Sequence, residues 1–238
     1  MERPIVIIPT LNPLPTFVQY INALQELEIQ QIIIVNDGSD LKYQPIFQEL
    51  SSVNQCIVIS HEENKGKGRA LKTGFEYVLK HFPKTHSVLT VGAHGQHTID
   101  DVRLILQNLK IFSNGIILGV RNFRSKDLSF INTMGQQAAS LLFKLLFHRR
   151  ILDTQTGLRS IPTKELPWLM KVPGESFDYD LNMLVEAIKR KIPIYEIPIG
   201  QVRIKKNSII QYDEIVSTQK VIQQIFTNFT RHHKKNHE

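Results

Sequence analysis

Residues 32–40 read IIIVNDGSD. Four consecutive β-branched apolar residues predict a strand buried on both faces, because a half-buried strand would alternate with polar positions. Asn36, Asp37, Gly38 and Ser39 then end the run with turn-forming chemistry. The same design recurs along the first half, with short apolar runs at 5–8, 56–59, 88–91 and 116–118. Segments with helical periodicity lie between them, at about 15–28, 42–50, 67–81 and 99–110. Strands alternating with helices predict βαβ units: an α/β, Rossmann-like, mostly parallel sheet with helices on both faces, filling roughly residues 1–120.

The second half changes character. Residues 121–130 are polar and predict a loop. A helix-like apolar segment follows over 132–147 and ends in His148, Arg149 and Arg150. A further helix is predicted over 178–190 and a strand over 194–197. Over 213–229, Ile215, Ile222, Phe226 and Phe229 share one helical face, and Arg231, Lys234, Lys235 and three histidines follow. No stretch rich in Gly, Ser or Pro divides the chain. The expected organisation is one domain over 1–210, with an amphipathic helix and basic tail over 211–238.

Composition narrows the partners. Of 238 residues, 42% are hydrophobic and 21% charged, which excludes bulk disorder. A single cysteine, Cys56, excludes a disulfide framework and a cysteine-based zinc site. The net charge of +7 favours an anionic partner. No nucleic-acid motif accompanies it, and few aromatics lie beside the basic runs, so no nucleic-acid partner is expected. The opening run is too short for a signal-peptide core, and no apolar run approaches the ~18–20 residues of a membrane span. The chain therefore reads as cytoplasmic, touching a membrane at most from outside.

In an open α/β sheet, ligands bind beyond the carboxyl ends of the strands. Pro9, Thr10 and Asn12 follow the first strand; Asp37 and Gly38 follow the second. Asp37 is read either as a turn residue or as an acceptor for a nucleoside. Asn64, Lys65, Gly66, Lys67 and Gly68 lead into a helix, as an anion-favouring start or as a solvated basic turn. Gly92, Ala93, His94, Gly95, Gln96 and His97 follow the fourth strand, and Arg121 the fifth. His94 and Gln96 are candidate metal ligands, weakened by the lack of a carboxylate. Asp153 and Asp180 are each read as a general base or as a structural charge, and the residues alone do not choose.

Seven stretches, taken in order, resemble family 2 glycosyltransferases with the GT-A fold. They are IVIIPTLNP at 5–13, IIIVNDGSD at 32–40, NKGKGRALKTGF at 64–75, VLTVGAHGQHTIDDV at 88–102, ILGVRNF at 117–123, LDTQTGLRSIP at 152–162 and VPGESFDYDLNMLVEA at 172–187. The nearest likeness is to bacterial polyprenol-phosphate sugar transferases of the dolichol-phosphate mannosyltransferase type, often joined to a flippase-type membrane domain. The resemblance implies sugar transfer, with inversion, from a UDP- or GDP-sugar to a lipid phosphate at the cytoplasmic face of the membrane. It implies a nucleotide site of Pro9, Thr10, Asn12, Asp37, Gly38, Lys67 and Ala93, and an acceptor-phosphate site of Arg121 with Arg124 nearby. Asp153, Gln155 and Asp180 become the candidate catalytic residues.

Three departures stand against this pattern. The family's metal motif reads D-A-D followed by G-Q-H, and the same frame here reads Gly92-Ala93-His94-Gly95-Gln96-His97. Both carboxylates are missing, so the Mn²⁺ or Mg²⁺ that the resemblance implies is left with His94 and Gln96. Over 129–137, where close relatives carry arginines, this chain has none. Membrane helices that follow in many relatives do not follow here. The alternative reading is a catalytically degenerate GT-A protein that binds a nucleotide or partners an active transferase or flippase.

Overall fold

The computed structural model describes residues 3–93, 95–121, 140, 141, 143–200 and 223. His94, Arg124, the 129–137 stretch and nearly all of the 211–238 tail lie outside them.

β1 (Ile5–Thr10), β2 (Gln31–Asn36), β3 (Cys56–Ser60), β4 (Ser87–Thr90), β5 (Ile116–Val120), β6 (Arg159–Pro162) and β7 (Ile194–Pro198) form one sheet in the order β3-β2-β1-β4-β6-β5-β7. Every pairing is parallel except those of β6, which is antiparallel to both β4 and β5. The helices are α1 (Phe17–Gln25), α2 (Gln44–Ser51), α3 (Lys67–His81), α4 (Ile99–Asn108), α5 (Leu166–Leu169) and α6 (Asp178–Lys189). A helical stretch over 143–147 precedes β6.

Strand side chains alternate between faces, and here both faces are covered. Ile5 and Ile7 of β1 join Ile33, Phe75 and Tyr179 in one core, beneath α3 and α6. Val6 and Ile8 join Phe17, Ile21, Val102 and Ile105 in the other, beneath α1 and α4. That is why the strands read as unbroken apolar runs.

The topology places the site. Parallel strands bring the segments after β1, β2, β4 and β5 to one edge. Because β6 runs the other way, the segment before it, 153–157, arrives at the same edge. α6 leads into β7, so its N-terminal turn stands there too.

Candidate functional site

At the β1–β2 end, hydrogen bonds lace the loops together. Asn12 N–H donates to Ser39 Oγ (2.9 Å), and Asp40 N–H donates to Asn12 Oδ1 (3.0 Å). Thr10 is buried, and its carbonyl accepts from Asp37 N–H (2.8 Å). Pro9 pairs in register with Val35, one residue before Thr10 meets Asn36. The Asp37 carboxylate is also buried. It accepts from Lys65 N–H (3.0 Å) and Gly66 N–H (2.8 Å), and His61 Nδ1 lies 2.7 Å away. Asp37 thus fastens the 61–66 loop. Gly38 has φ +72°, and a Cβ there would stand 2.2 Å from the Glu63 carbonyl carbon, so only glycine permits the approach.

That loop opens α3, whose N-terminus is largely engaged from within. Arg69 N–H donates to the Glu175 carbonyl (3.0 Å), while Arg69 and buried Lys72 both reach the Glu175 carboxylate. The amides of Lys65 and Gly66 are committed to Asp37. The anion-favouring character read from Gly66 and Gly68 is left to the amides of Lys67 and Gly68 and to the Lys67 side chain.

Lys67 Nζ lies 2.5 Å from Asp180 Oδ2, in the first turn of α6. Asp180 is buried, and Arg159 Nη2 stands 3.6 Å from its other oxygen. Arg159 is 1% exposed and donates to the carbonyls of Thr154 (3.1 Å), Thr156 (2.8 Å) and Asp180 (2.8 Å). It ties the 153–157 loop to α6.

Arg121 grips Asp153 with two nitrogens, Nε to Oδ2 at 2.6 Å and Nη2 to Oδ1 at 2.9 Å. Gln155 N–H donates to Asp153 Oδ1 at 3.2 Å. Asp153 is fully buried. Burial alone would push its carboxyl up, but the Arg121 charge and hydrogen bonds outweigh it and hold the carboxyl below its usual range. Asp153 is thereby an ionised anchor for Arg121, with its lone pairs already taken. Asp180 stands in the same relation to Lys67. The two residues read as possible general bases are partners of the two residues read as anion binders.

His97 joins these pairs. A Cβ on Gly157 would lie 3.6 Å from His97 Nε2 and 3.7 Å from Lys67 Nζ. Burial, followed by the Arg121 charge, pulls the His97 imidazole down to about 4, so it is neutral at physiological pH. Its Nδ1 has no hydrogen-bond partner among the described residues. Tyr20 O–H holds its backbone carbonyl (2.8 Å).

The β4 edge decides the fit of a divalent cation. Mg²⁺ and Mn²⁺ favour sites rich in anionic oxygen. Gly92 offers no ligand, and Gln96 Oε1 lies 2.2 Å from the position a Cβ on residue 92 would take. Ala93 is buried. The nearby carboxylates are engaged: Asp101 by the amides of Thr98 and Gly200, Asp153 by Arg121, Asp180 by Lys67. Among the described residues, no three His, Cys, Asp or Glu side chains are placed to hold a metal. The described residues do not fit a resident divalent cation.

The sequence reading missed His61 and Glu175; it noted Lys72, one turn into the helix, and Arg159, before a short strand, without assigning either a role. Partners of all four lie far along the chain, and nothing local points to them.

The sequence profile described as Glycosyl transferase family 2 matches residues 5–164. The UDP-N-acetylglucosamine–dolichyl-phosphate N-acetylglucosaminyltransferase of Methanococcus voltae is 28% identical over 211 residues, covering 82% of this chain and 83% of its own. The dolichyl-phosphate beta-glucosyltransferase of Saccharomyces cerevisiae is 28% identical over 201 residues, covering 71% of this chain and 56% of its own. Glucosyl-3-phosphoglycerate synthase from Mycobacterium tuberculosis, solved with Mn²⁺, UDP and phosphoglyceric acid, superposes with a TM-score of 0.69 at 16% identity. That match covers 95% of this chain and 78% of the other. At such identity the superposition speaks to the fold alone.

Proposed function

The chain belongs to glycosyl transferase family 2 and has the GT-A fold, and from that premise we propose that it moves a sugar from a UDP- or GDP-sugar to a polyprenyl phosphate. The carrying observation is the bidentate Arg121–Asp153 pair at the ligand edge of the sheet. Guanidinium forks suit phosphate, and an arginine pinned by a buried carboxylate is already aimed before a ligand arrives. The dolichyl-phosphate sugar transferases among its relatives support the same acceptor class.

In this reading the nucleotide lies over Pro9, Thr10, Asn12, Gly38 and Ala93, with Asp37 shaping the loop beneath it. Lys67, steadied by Asp180, faces the donor diphosphate. Arg121 holds the acceptor phosphate. An oxygen of that phosphate attacks the anomeric carbon, the bond to the diphosphate breaks, and its electron pair leaves on the diphosphate with inversion at carbon. The acceptor is already an anion at neutral pH, so no strong base is required. That agrees with Asp153 being held ionised by Arg121. The chief contribution of the protein is charge stabilisation by fixed cations. Among the described residues, no helix is long and apolar enough to cross a membrane. The reading places the protein at the cytoplasmic face, held there peripherally.

The test incubates the purified chain with UDP- and GDP-sugars and a polyprenyl phosphate, and measures nucleoside diphosphate release. Release that needs both substrates supports the reading. No release across the donor panel, with and without Mn²⁺, overturns it in favour of a binding protein. Donor affinity by calorimetry is expected to be the same with Mn²⁺ and with a chelator.

A further inference from the structure

The helical stretch over 143–147 has an inner face and an outer one. Phe143 and Phe147 are buried in the core, their ring centroids 4.8 Å apart. Leu141 and Leu145, one helical turn apart, point outward at 57% and 65% exposure. Leu152 is also exposed. A lone surface leucine needs no explanation. This set differs in its surroundings. Lys144, His148, Arg149 and Arg150 are all exposed beside it, and no acidic residue occurs between Asp127 and Asp153.

The patch is fixed to the sheet. Arg149 Nη2 donates to the Ile194 carbonyl of β7 (2.7 Å), and Leu152 N–H donates to Glu196 Oε1 (2.6 Å). Glu196 is the one carboxylate seen to reach this segment among the described residues; it accepts from that amide and faces the charges of Arg149 and Arg150, leaving Lys144 and His148 with no acidic neighbour in the segment's own sequence. Asp153, the anchor of Arg121, is the very next residue after Leu152. The apolar and cationic surface therefore runs directly into the edge that carries Arg121.

Apolar side chains rimmed by cations in excess over acidic groups fit the boundary of an anionic bilayer, where leucines enter the acyl region and lysine or arginine meets lipid phosphates. We propose that Leu141, Leu145 and Leu152, with Lys144 and Arg150, dock the protein on an anionic phospholipid surface. The docking turns the Arg121 edge toward headgroup level. The inference rests on the reading of the acceptor as a lipid phosphate, which it supplies with a geometry.

The test is co-sedimentation of the full chain with phosphatidylcholine vesicles and with vesicles that also contain phosphatidylglycerol. The unaltered protein is expected to bind the anionic vesicles, and less so as salt rises. Lys144→Ser with Arg150→Ser is expected to weaken binding by about 30-fold, from roughly a fivefold factor per basic residue. Leu141→Ser with Leu145→Ser is expected to weaken it by about tenfold or more. Both double variants should keep their circular dichroism and their transfer to a short-chain prenyl phosphate in detergent, while losing transfer to vesicle-embedded acceptor. Equal sedimentation of all three proteins, or none by the unaltered chain, overturns the proposal. So does a loss of self-association in the leucine variant with vesicle binding unchanged, which would make the patch a contact between copies. Vesicle binding lost in the variants, with no transfer to any acceptor by any protein, upholds the docking surface and overturns the transferase reading.

Discussion

Asp37 and Asp153 are both buried carboxylates at the carboxyl edge of the parallel strands, yet they are held by opposite means. Asp37 meets two backbone amides and the His61 ring. Asp153 meets the Arg121 guanidinium. The first arrangement yields a shaped loop, the second a fixed cation. The β1–β3 end of the site is a mould, and the β5–β6 end presents charge. Shape suits a flat base and ribose; an aimed cation suits a phosphate.

The largest test of this contrast removes the anchor. Asp153→Ala leaves Arg121 beside a buried void without its counter-ion, and is expected to cost about 3–5 kcal/mol of stability in denaturant melts. Asp37→Ala strands only backbone amides and an imidazole, and should cost about 1–3 kcal/mol. The reverse order would break the comparison.

The next test is pH. The folded state protonates His97 near 4 and an unfolded chain near 6.5, so between these values the unfolded state binds more protons. Stability is then fully present above 6.5 and falls by roughly 3 kcal/mol as pH drops to 4. His97→Phe should flatten that slope in melts taken from pH 4 to 7. Asp153 adds a second loss at lower pH. Its folded carboxyl lies below the ordinary 3.8, so its contribution is present above that value and disappears as pH falls through the folded one. Asp153→Asn should remove this acid limb while lowering stability at every pH, because Arg121 loses its counter-ion.

A finer probe is Asp37→Asn, expected to cost about 1 kcal/mol, since one accepting oxygen survives. A rise in donor KM with unaltered melting would instead place Asp37 against the nucleotide itself. The smallest effect serves as a control. Arg103 pairs with Asp100 on the exposed face of α4, and Arg103→Ala should change stability by less than about 0.5 kcal/mol.

Much of the fold was legible because its signals are local. Apolar runs at 32–35 and 116–118 became β2 and β5, and the helix read over 67–81 is α3 to the residue. The antiparallel insertion of β6 was not legible. A four-residue strand carries no mark of where it pairs, and its neighbours lie far away in sequence. The same distance hid the ion pairs. Lys67 and Asp180 were each singled out, as were Arg121 and Asp153, but nothing local says that they meet. Side-chain type marked the candidates at this edge, whereas topology decided what each one touches. The Gly92 departure was visible as a missing carboxylate; that Gln96 lies against the vacant side was not.

The place of β6 also bears on how the chain is made. β6 lies inside the sheet between β4 and β5, so β4 cannot find its second neighbour until 91–162 have been synthesised. At ~5–20 residues per second, that wait is on the order of several seconds. During it, β1, β2, β3 and β4 can assemble while one apolar strand edge stays open. Such an edge invites pairing with another nascent chain. The emerging protein is most vulnerable in this interval, and slow translation or a bound chaperone would matter more here than at either terminus.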